Sequence, residues 1–165
     1  MIYLLFLIPL ALVLVAFQAS VLNQLTLAGG HLDLITISLV MLAVYGSFEL
    51  ALLAALIVAP LVDALAGMPL GVSIIPMLSV IMLAHWSSKT IFGARLGWPV
   101  VVIFIGSLMS GLITMAELSL LGWQLPWNEL ILRSLLPSTF LNAVAAIVIY
   151  LPIIIFSEHR DTPLL

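Results

Sequence analysis

The chain has 165 residues, of which 65% are hydrophobic and 7% are charged, and its formal net charge is −3. A soluble domain carries about 25% charged residues, so this chain has too few to cover a surface that faces water. The sequence contains no cysteine, which excludes disulfides and thiolate metal sites. No cluster of lysine and arginine supports binding to nucleic acid. The composition therefore predicts an integral membrane protein embedded in a lipid bilayer.

Long apolar runs separated by short polar breaks predict six transmembrane helices in a single domain, residues 1–165. A crossing needs roughly 20 mostly apolar residues, and glycine, proline and charged residues mark the turns between the runs. In chain order, the predicted spans are residues 3–22, 33–46, 49–66, 72–88, 98–120 and 129–156. The predicted fold class is an all-α integral membrane protein built as a six-transmembrane-helix bundle.

The few basic residues predict how the bundle is oriented. An even number of crossings places both termini on the same side of the membrane, and Lys89, Arg95 and Arg160 fall on that side. Only Arg133 falls near the opposite side. Since basic residues concentrate in cytoplasmic loops, the sequence predicts that both termini are cytoplasmic.

No motif in the sequence predicts an enzyme. The histidines His31, His85 and His159 are far apart in sequence, and none belongs to an H-E-x-x-H metal motif. The G-x-S-x-G nucleophile elbow and the phosphate-binding P-loop are also absent. We therefore expect a non-enzymatic protein with no catalytic residue, no cofactor and no metal site.

Asp63, Glu117 and Arg133 are candidate functional residues, because charged side chains inside membrane spans are costly and usually face the bundle interior. Asp63 lies near the end of the third predicted span. It either contacts a partner or a ligand, or it caps the turn after Gly67 or pairs with a neighbouring helix. Glu117 and Arg133 lie eight residues on either side of Leu125, so an antiparallel hairpin places them at the same depth. We predict an ion pair between them with a structural role.

Small and polar residues predict close helix contacts. Ala51, Ala55 and Ala59 recur every four residues in the third span and give it a smooth face. That face packs either within the bundle or against a helix of another protein. Gln18 is a polar residue at depth in the first span, so its amide should find a hydrogen-bond partner.

The first half of the chain carries a specific pattern of polar and small residues. A glutamine lies in the first span, an aspartate opens the second, and the third ends in an aspartate followed by a Gly-x-Pro-Leu-Gly turn. The segments are Phe17-Gln18-Ala19-Ser20, Leu32-Asp33-Leu34, Gly46 and Leu61-Val62-Asp63-Ala64-Leu65-Ala66-Gly67-Met68-Pro69-Leu70-Gly71. This pattern, which covers residues 17–71, resembles that of the rod shape-determining protein MreD family. It departs from the family at Leu32, where proline is frequent, and at Ala54, Ala55 and Ala59, where glycines are expected.

The resemblance implies a non-enzymatic scaffold subunit of the bacterial cell-elongation complex, located in the cytoplasmic (inner) membrane. Such a subunit binds the membrane protein MreC and supports cell shape and peptidoglycan synthesis. It also implies indirect association with RodA, its penicillin-binding transpeptidase and MreB. The partner-binding or structural motif is then Gln18, Asp33, Asp63, Gly67, Pro69 and Gly71. The family also resembles the six-helix substrate-binding subunits of energy-coupling-factor transporters.

The alternative function is therefore a substrate-binding membrane subunit of a vitamin transporter. Such subunits typically carry an Ala-x-x-x-Ala motif in the first helix, whereas Ala11, Ala16 and Ala19 have a different spacing. A ligand pocket would also need several convergent polar side chains. A third possibility, a small channel or proton-coupled carrier, would place carboxylates near the middle of the membrane. Asp63 and Glu117 both lie near one end of a span instead, which disfavours it.

Overall fold

The structure is a computed structural model that describes residues 2–22, 26–27, 29–90 and 98–158. Helices dominate it, which confirms the all-α class. The elements in chain order are α1 (Ile2–Ser20), β1 (Thr26–Leu27), β2 (Gly30–His31), α2 (Leu34–Tyr45), α3 (Phe48–Ala66), α4 (Ile74–Thr90), α5 (Trp98–Leu120), α6 (Trp127–Leu130), a π-helix (Ile131–Leu135) and α7 (Leu136–Glu158). The two short strands pair antiparallel, with Thr26 opposite His31. The last three helical elements follow one another without a break and form one continuous segment.

Three helices are long and apolar enough to cross a membrane, which supports the prediction of a membrane protein. These helices are Phe48–Ala66, Trp98–Leu120 and Trp127–Tyr150. Three shorter apolar helices are also present in the described chain, at Pro9–Ser20, Leu34–Tyr45 and Ile74–Ser87. At 1.5 Å per residue, the 12-residue α2 rises only about 18 Å, well short of the roughly 30 Å of hydrocarbon. The six-crossing layout therefore stays a prediction. Arg95 and Arg160, on which the predicted orientation partly rests, lie outside the described residues.

Local sequence signals explain where the second and third helices begin and end. Asp33 precedes α2, and its carboxylate accepts a hydrogen bond from the Thr36 amide at 3.0 Å. Ser47 precedes α3, and its hydroxyl oxygen accepts one from the Leu50 amide at 3.2 Å. Both are typical N-cap residues, since their side chains satisfy amides that a helix start leaves unpaired. Gly67 ends α3 in the left-handed conformation with φ 66°, which glycine adopts without strain.

The short helix α2 is the centre of the bundle. It packs against α1, α3, α4, α5 and α7, and further contacts join α1 to α3, α3 to α4, α4 to α5 and α5 to α7. Its side chains Ile35, Ile37 and Val40 are buried, together with Ile81 of α4 and Ile103 of α5. Five neighbouring helices therefore shield α2, so it does not need the length of a lipid-exposed span.

The alanine repeat of α3 packs within the bundle. Ala51, Ala55 and Ala59 are 0%, 1% and 0% exposed, and α3 contacts α1, α2 and α4. The absence of larger side chains on this face allows the helices to approach closely. Of the two alternatives left open by the sequence, this face therefore serves packing inside the chain.

The strand pair rests on the beginning of α7. The Gly30 Cα lies so close to it that an added Cβ would stand 2.6 Å from both the Pro137 carbonyl carbon and the Ser138 nitrogen. The His31 amide also donates a hydrogen bond to the Ser138 hydroxyl oxygen at 2.8 Å. Because the atoms facing Gly30 belong to the backbone, they cannot move aside as a flexible side chain would.

We expect Gly30→Ala to lower the thermal unfolding midpoint more than Gly67→Ala. Gly67 has open space around it, so alanine there costs only the left-handed backbone conformation, about 1–2 kcal/mol. Gly67→Asn should recover part of that loss, because asparagine tolerates this conformation, whereas Gly30→Asn should be no better than Gly30→Ala. Melting curves of the four variants in one detergent test this. Equal midpoints for the two alanine variants, or rescue of Gly30 by asparagine, would contradict it.

Candidate functional site

Asp63 joins the end of α3 to the beginning of α4. It is 0% exposed, and its carboxylate accepts hydrogen bonds from the Gly71 amide at 2.7 Å and the Ser73 amide at 3.1 Å. The Ser73 hydroxyl also donates to it. At the same time, the main-chain carbonyl of Asp63 accepts from the amides of Gly67 and Met68. One residue therefore ends one helix and holds the segment that leads into the next.

The structure thus brings together four residues of the predicted motif, Asp63, Gly67, Pro69 and Gly71, in one turn. Gly71 has φ 103°, a conformation that favours glycine. Pro69 lies in the same turn, and its carbonyl faces the Val72 amide at 3.4 Å. Of the two interpretations of Asp63, the geometry favours the cap, because both carboxylate oxygens already have partners inside the chain.

A second cluster forms around Gln18 and Asp33. The Gln18 amide donates to Asp33 Oδ1 at 2.9 Å, and its carbonyl oxygen accepts from the Ile35 amide at 3.1 Å. The Thr36 hydroxyl donates to Asp33 Oδ2. The prediction that Gln18 finds a partner is confirmed. These bonds tie α1 to the first turn of α2, where the helix leaves its amides without intrahelical partners.

The cluster extends to α5 and α7 through a residue that the sequence analysis missed. Asn142 is 3% exposed, and its Oδ1 accepts from the Asp33 amide at 2.7 Å. Its Nδ2 donates to the Ser107 hydroxyl oxygen at 3.2 Å. Ser138, Thr139 and Asn142 are spaced for one helical face, so this polar stripe in an apolar segment was the available signal.

Glu117 and Arg133 do not form the predicted ion pair. Glu117 Oε1 is buried and has no hydrogen-bond partner, whereas Arg133 is exposed. The prediction assumed two regular α-helices placed symmetrically about Leu125. Arg133 instead lies in the π-helix, whose wider turn changes the direction of every side chain it carries.

A cavity of about 490 Å³ lies between the two clusters. It occupies the end of the bundle where α1 and α3 end and where α2 and α4 begin. Its polar lining consists of Gln18, His31, Asp33, Thr36, Ser73, Ser107, Ser110, Thr114, Ser134, Ser138, Thr139 and Asn142. Its apolar lining comes from methionine, leucine, isoleucine, valine and proline side chains. The predicted motif therefore borders the cavity directly at Gln18 and Asp33, and Asp63 reaches it only through Ser73.

The cavity lining is suited to hydrogen bonding. Within the part of the chain that the structure describes, no three His, Asp or Glu side chains lie close enough to hold a metal ion. Asp33 is the one carboxylate among the described lining residues, and its oxygens already accept hydrogen bonds. Eight of the twelve described polar lining residues carry a hydroxyl.

Comparisons with known proteins add no identity to this geometry. No protein-family model matches the chain, no curated protein matches it, and no solved structure matches it. The fold likeness to transporter subunits that the resemblance implied therefore stays a prediction. The functional conclusion has to rest on the residues and their arrangement.

We expect Asp63→Ala to destabilise the protein by about 3 kcal/mol, because it leaves buried amides at Gly71 and Ser73 without acceptors. Asp63→Asn keeps one acceptor oxygen at the same place and should lose less. Glu49→Gln is a matched control, since Glu49 is an exposed carboxylate on the same helix, and it should change stability by less than about 0.5 kcal/mol. Denaturant unfolding in mixed micelles measures all three. A loss for Glu49→Gln as large as for Asp63→Ala would show that the capping bonds are not responsible.

Proposed function

We propose that the chain is a non-enzymatic membrane scaffold similar to MreD, which binds MreC in the bacterial inner membrane. In that role it supports cell shape and peptidoglycan synthesis, with indirect links to RodA, its penicillin-binding transpeptidase and MreB. Its bundle is proposed to cross the membrane six times and to keep both termini in the cytoplasm. The cavity then opens toward the periplasmic end.

The observation that carries this proposal is the arrangement of the residues that resemble the family. Gln18 and Asp33 bond to each other, and Asp63 bonds to the Gly71 segment. Insertion into a membrane needs only apolar side chains. It therefore requires neither the bond between Gln18 and Asp33 nor the bond between Asp63 and the Gly71 segment. The resemblance therefore extends to residues that make specific contacts, and it is more than shared hydropathy.

The same arrangement shows where a partner does not bind. Asp63 has no exposed surface, so it cannot contact another protein directly. Exposed apolar side chains lie beside this turn, at Leu65, Leu70 and Ile75, and on the outer faces of the peripheral helices. On α1 and α7 these faces are formed by Leu10, Val13, Phe17, Phe140, Val144 and Val148. A single-span helix that packs on such a face would gain mainly van der Waals contact, because lipid offers the same apolar environment and leaves no hydrophobic driving force between helices.

A second candidate function is the substrate-binding subunit of a vitamin transporter. The cavity favours it, because its volume lies within the roughly 300–1,000 Å³ typical of small-molecule sites. Retention of a vitamin through purification, found by mass spectrometry of the extracted protein, would support this function over the scaffold. The scaffold remains the first choice because it accounts for the residues of both clusters.

The scaffold proposal predicts that the tagged chain, extracted from its native membranes, retains MreC. An unrelated tagged protein with several membrane spans is the control, and quantitative mass spectrometry measures the enrichment. MreC at the level of that control would contradict the proposal.

Variants then separate a folding effect from a contact effect. Asp63→Asn should reduce the total protein and the captured MreC in proportion, because the carboxylate acts on folding. Val13→Trp and Val144→Trp add bulk to the two outer faces, and at least one should reduce capture per molecule. Met82→Trp is the matched control on α4, where Met82 is 63% exposed. Loss of capture in the control alone would place the contact elsewhere.

Reporter fusions test the proposed layout independently of the partner. A cytoplasm-active reporter should be active at both the N-terminus and the C-terminus, because six crossings return the chain to its starting side. Activity at one terminus only would require an odd number of crossings. If the inactive terminus were the N-terminus, α1 would run in the opposite direction and the proposed periplasmic opening of the cavity would be wrong as well.

A further inference from the structure

The cavity has unused hydrogen-bonding capacity. The hydroxyls of Ser110 and Ser134 make no hydrogen bond to any described residue, and those of Ser107 and Ser138 are used only as acceptors. His31 Nδ1 is buried and also lacks a partner. A buried polar atom without a partner is unfavourable, and the serine hydroxyls that line the cavity can donate hydrogen bonds to a molecule that supplies acceptors.

The charges around the cavity disfavour a charged ligand. Among the described residues that line it, none is lysine or arginine, so an anion finds no cationic partner. Asp33 is the only carboxylate of the described lining, and its oxygens are engaged by Gln18 and Thr36. A cation would have to compete with these bonds. Burying an unpaired charge in a medium of low dielectric is costly, which leaves an uncharged ligand.

The remaining lining describes the rest of the ligand. Met68, Met77 and Met115 face the cavity together with leucines such as Leu130 and Leu135. Methionine side chains adapt to irregular apolar shapes. No phenylalanine, tyrosine or tryptophan is among the described lining residues. None of these aromatic rings is therefore available in the described lining to stack on a planar ligand. The lining therefore fits an apolar body that is not a large planar ring system.

The π-helix is a second, independent observation at the same place. It contributes Ser134 and Leu135 to the lining, and Gly111 of α5 lies directly against it. An added Cβ at Gly111 would stand 2.1 Å from Leu135 Cδ1. π-Helical turns are rare and frequently occur at functional sites. Here the π-helical residue Ser134 places its hydroxyl-bearing side chain in the cavity lining.

We infer that the cavity is a binding site for an uncharged small molecule that carries hydroxyl or carbonyl acceptors on a compact apolar body. The serine hydroxyls of α5, the π-helix and α7 donate to its acceptors, and the methionines surround its apolar part. This inference goes beyond the scaffold function and does not depend on transport. The same site would suit a protein that only binds the molecule and a protein that hands it to a transporter.

The test uses the purified full-length chain in lipid nanodiscs. The probes are cyclohexyl and decalin carboxamides and alcohols, with the matched carboxylates and ammonium compounds as charged analogues. Ser110→Phe and Ser134→Phe fill the cavity from two different helical elements. Leu112→Phe is the control, because Leu112 is exposed on the outer surface of α5. Equilibrium dialysis measures binding, and the melting midpoint without probe confirms that each variant is folded.

We expect uncharged probes to bind the unaltered chain and the Leu112→Phe control within about twofold of each other, and each cavity variant to weaken binding at least about tenfold. The charged analogues should not bind. Absence of binding by every uncharged probe would show a cavity filled by water only and would overturn the inference. Equal binding of the charged analogues, or unchanged binding by both cavity variants, would overturn it too. MreC capture by Ser110→Phe distinguishes the ligand proposal from the scaffold proposal. This variant should lose probe binding, whereas a scaffold should still retain MreC.

Discussion

Two carboxylates, the half-buried Asp33 and the fully buried Asp63, hold the backbone of this bundle together at one end. A helix start leaves amides without intrahelical partners, and a membrane interior supplies no water to satisfy them. Asp33 satisfies amides at the beginning of α2, and Asp63 satisfies those that lead into α4. Both acids are held by direct hydrogen bonds rather than by basic residues. The small number of lysines and arginines in the chain is compatible with these two acids for this reason.

The end of the bundle that contains these carboxylates is polar, and the rest of the bundle, its body, is apolar. Toward the polar end, Gln18, Asn142 and Ser107 join four helical elements through side-chain bonds. In the body, alanines of α3 and branched side chains of α2 pack without polar groups. Side-chain hydrogen bonds fix the relative positions of helices, whereas apolar packing alone permits several similar arrangements. The cavity lies at the polar end, where the walls are positioned by hydrogen bonds.

The sequence predicts the parts of this structure that depend on neighbours along the chain. Caps such as Asp33 and Gly67 mark helix ends because they act within a few residues, and the alanine spacing of α3 describes a single face. The bond between Ser107 and Asn142 joins residues 35 positions apart, and no local pattern contains it. The π-helix is equally hidden, because its residues are ordinary helix formers. The predicted ion pair failed for this reason, since symmetric counting assumes regular turns on both sides. The polar stripe of Ser138, Thr139 and Asn142 was visible in the sequence. Its contacts could not be predicted, because they depend on the position of a neighbouring helix.

The capping role of Asp33, Asp63 and Gly67 also limits what a family resemblance can say about binding. Residues that cap helices are constrained by the fold itself, so a shared pattern of such residues follows from a shared fold. A surface that receives a partner's membrane helix has no comparable constraint, because it contacts apolar side chains in the complex and apolar lipid without it. The apolar composition of the exposed faces of α1 and α7 therefore suits contact with a protein helix and contact with lipid equally well. The polar cavity is different, since serine hydroxyls and a buried imidazole nitrogen without partners are costly unless something occupies it. The resemblance thus concerns the residues that cap helices, whereas the cavity concerns the binding of a ligand. Each role rests on its own contacts.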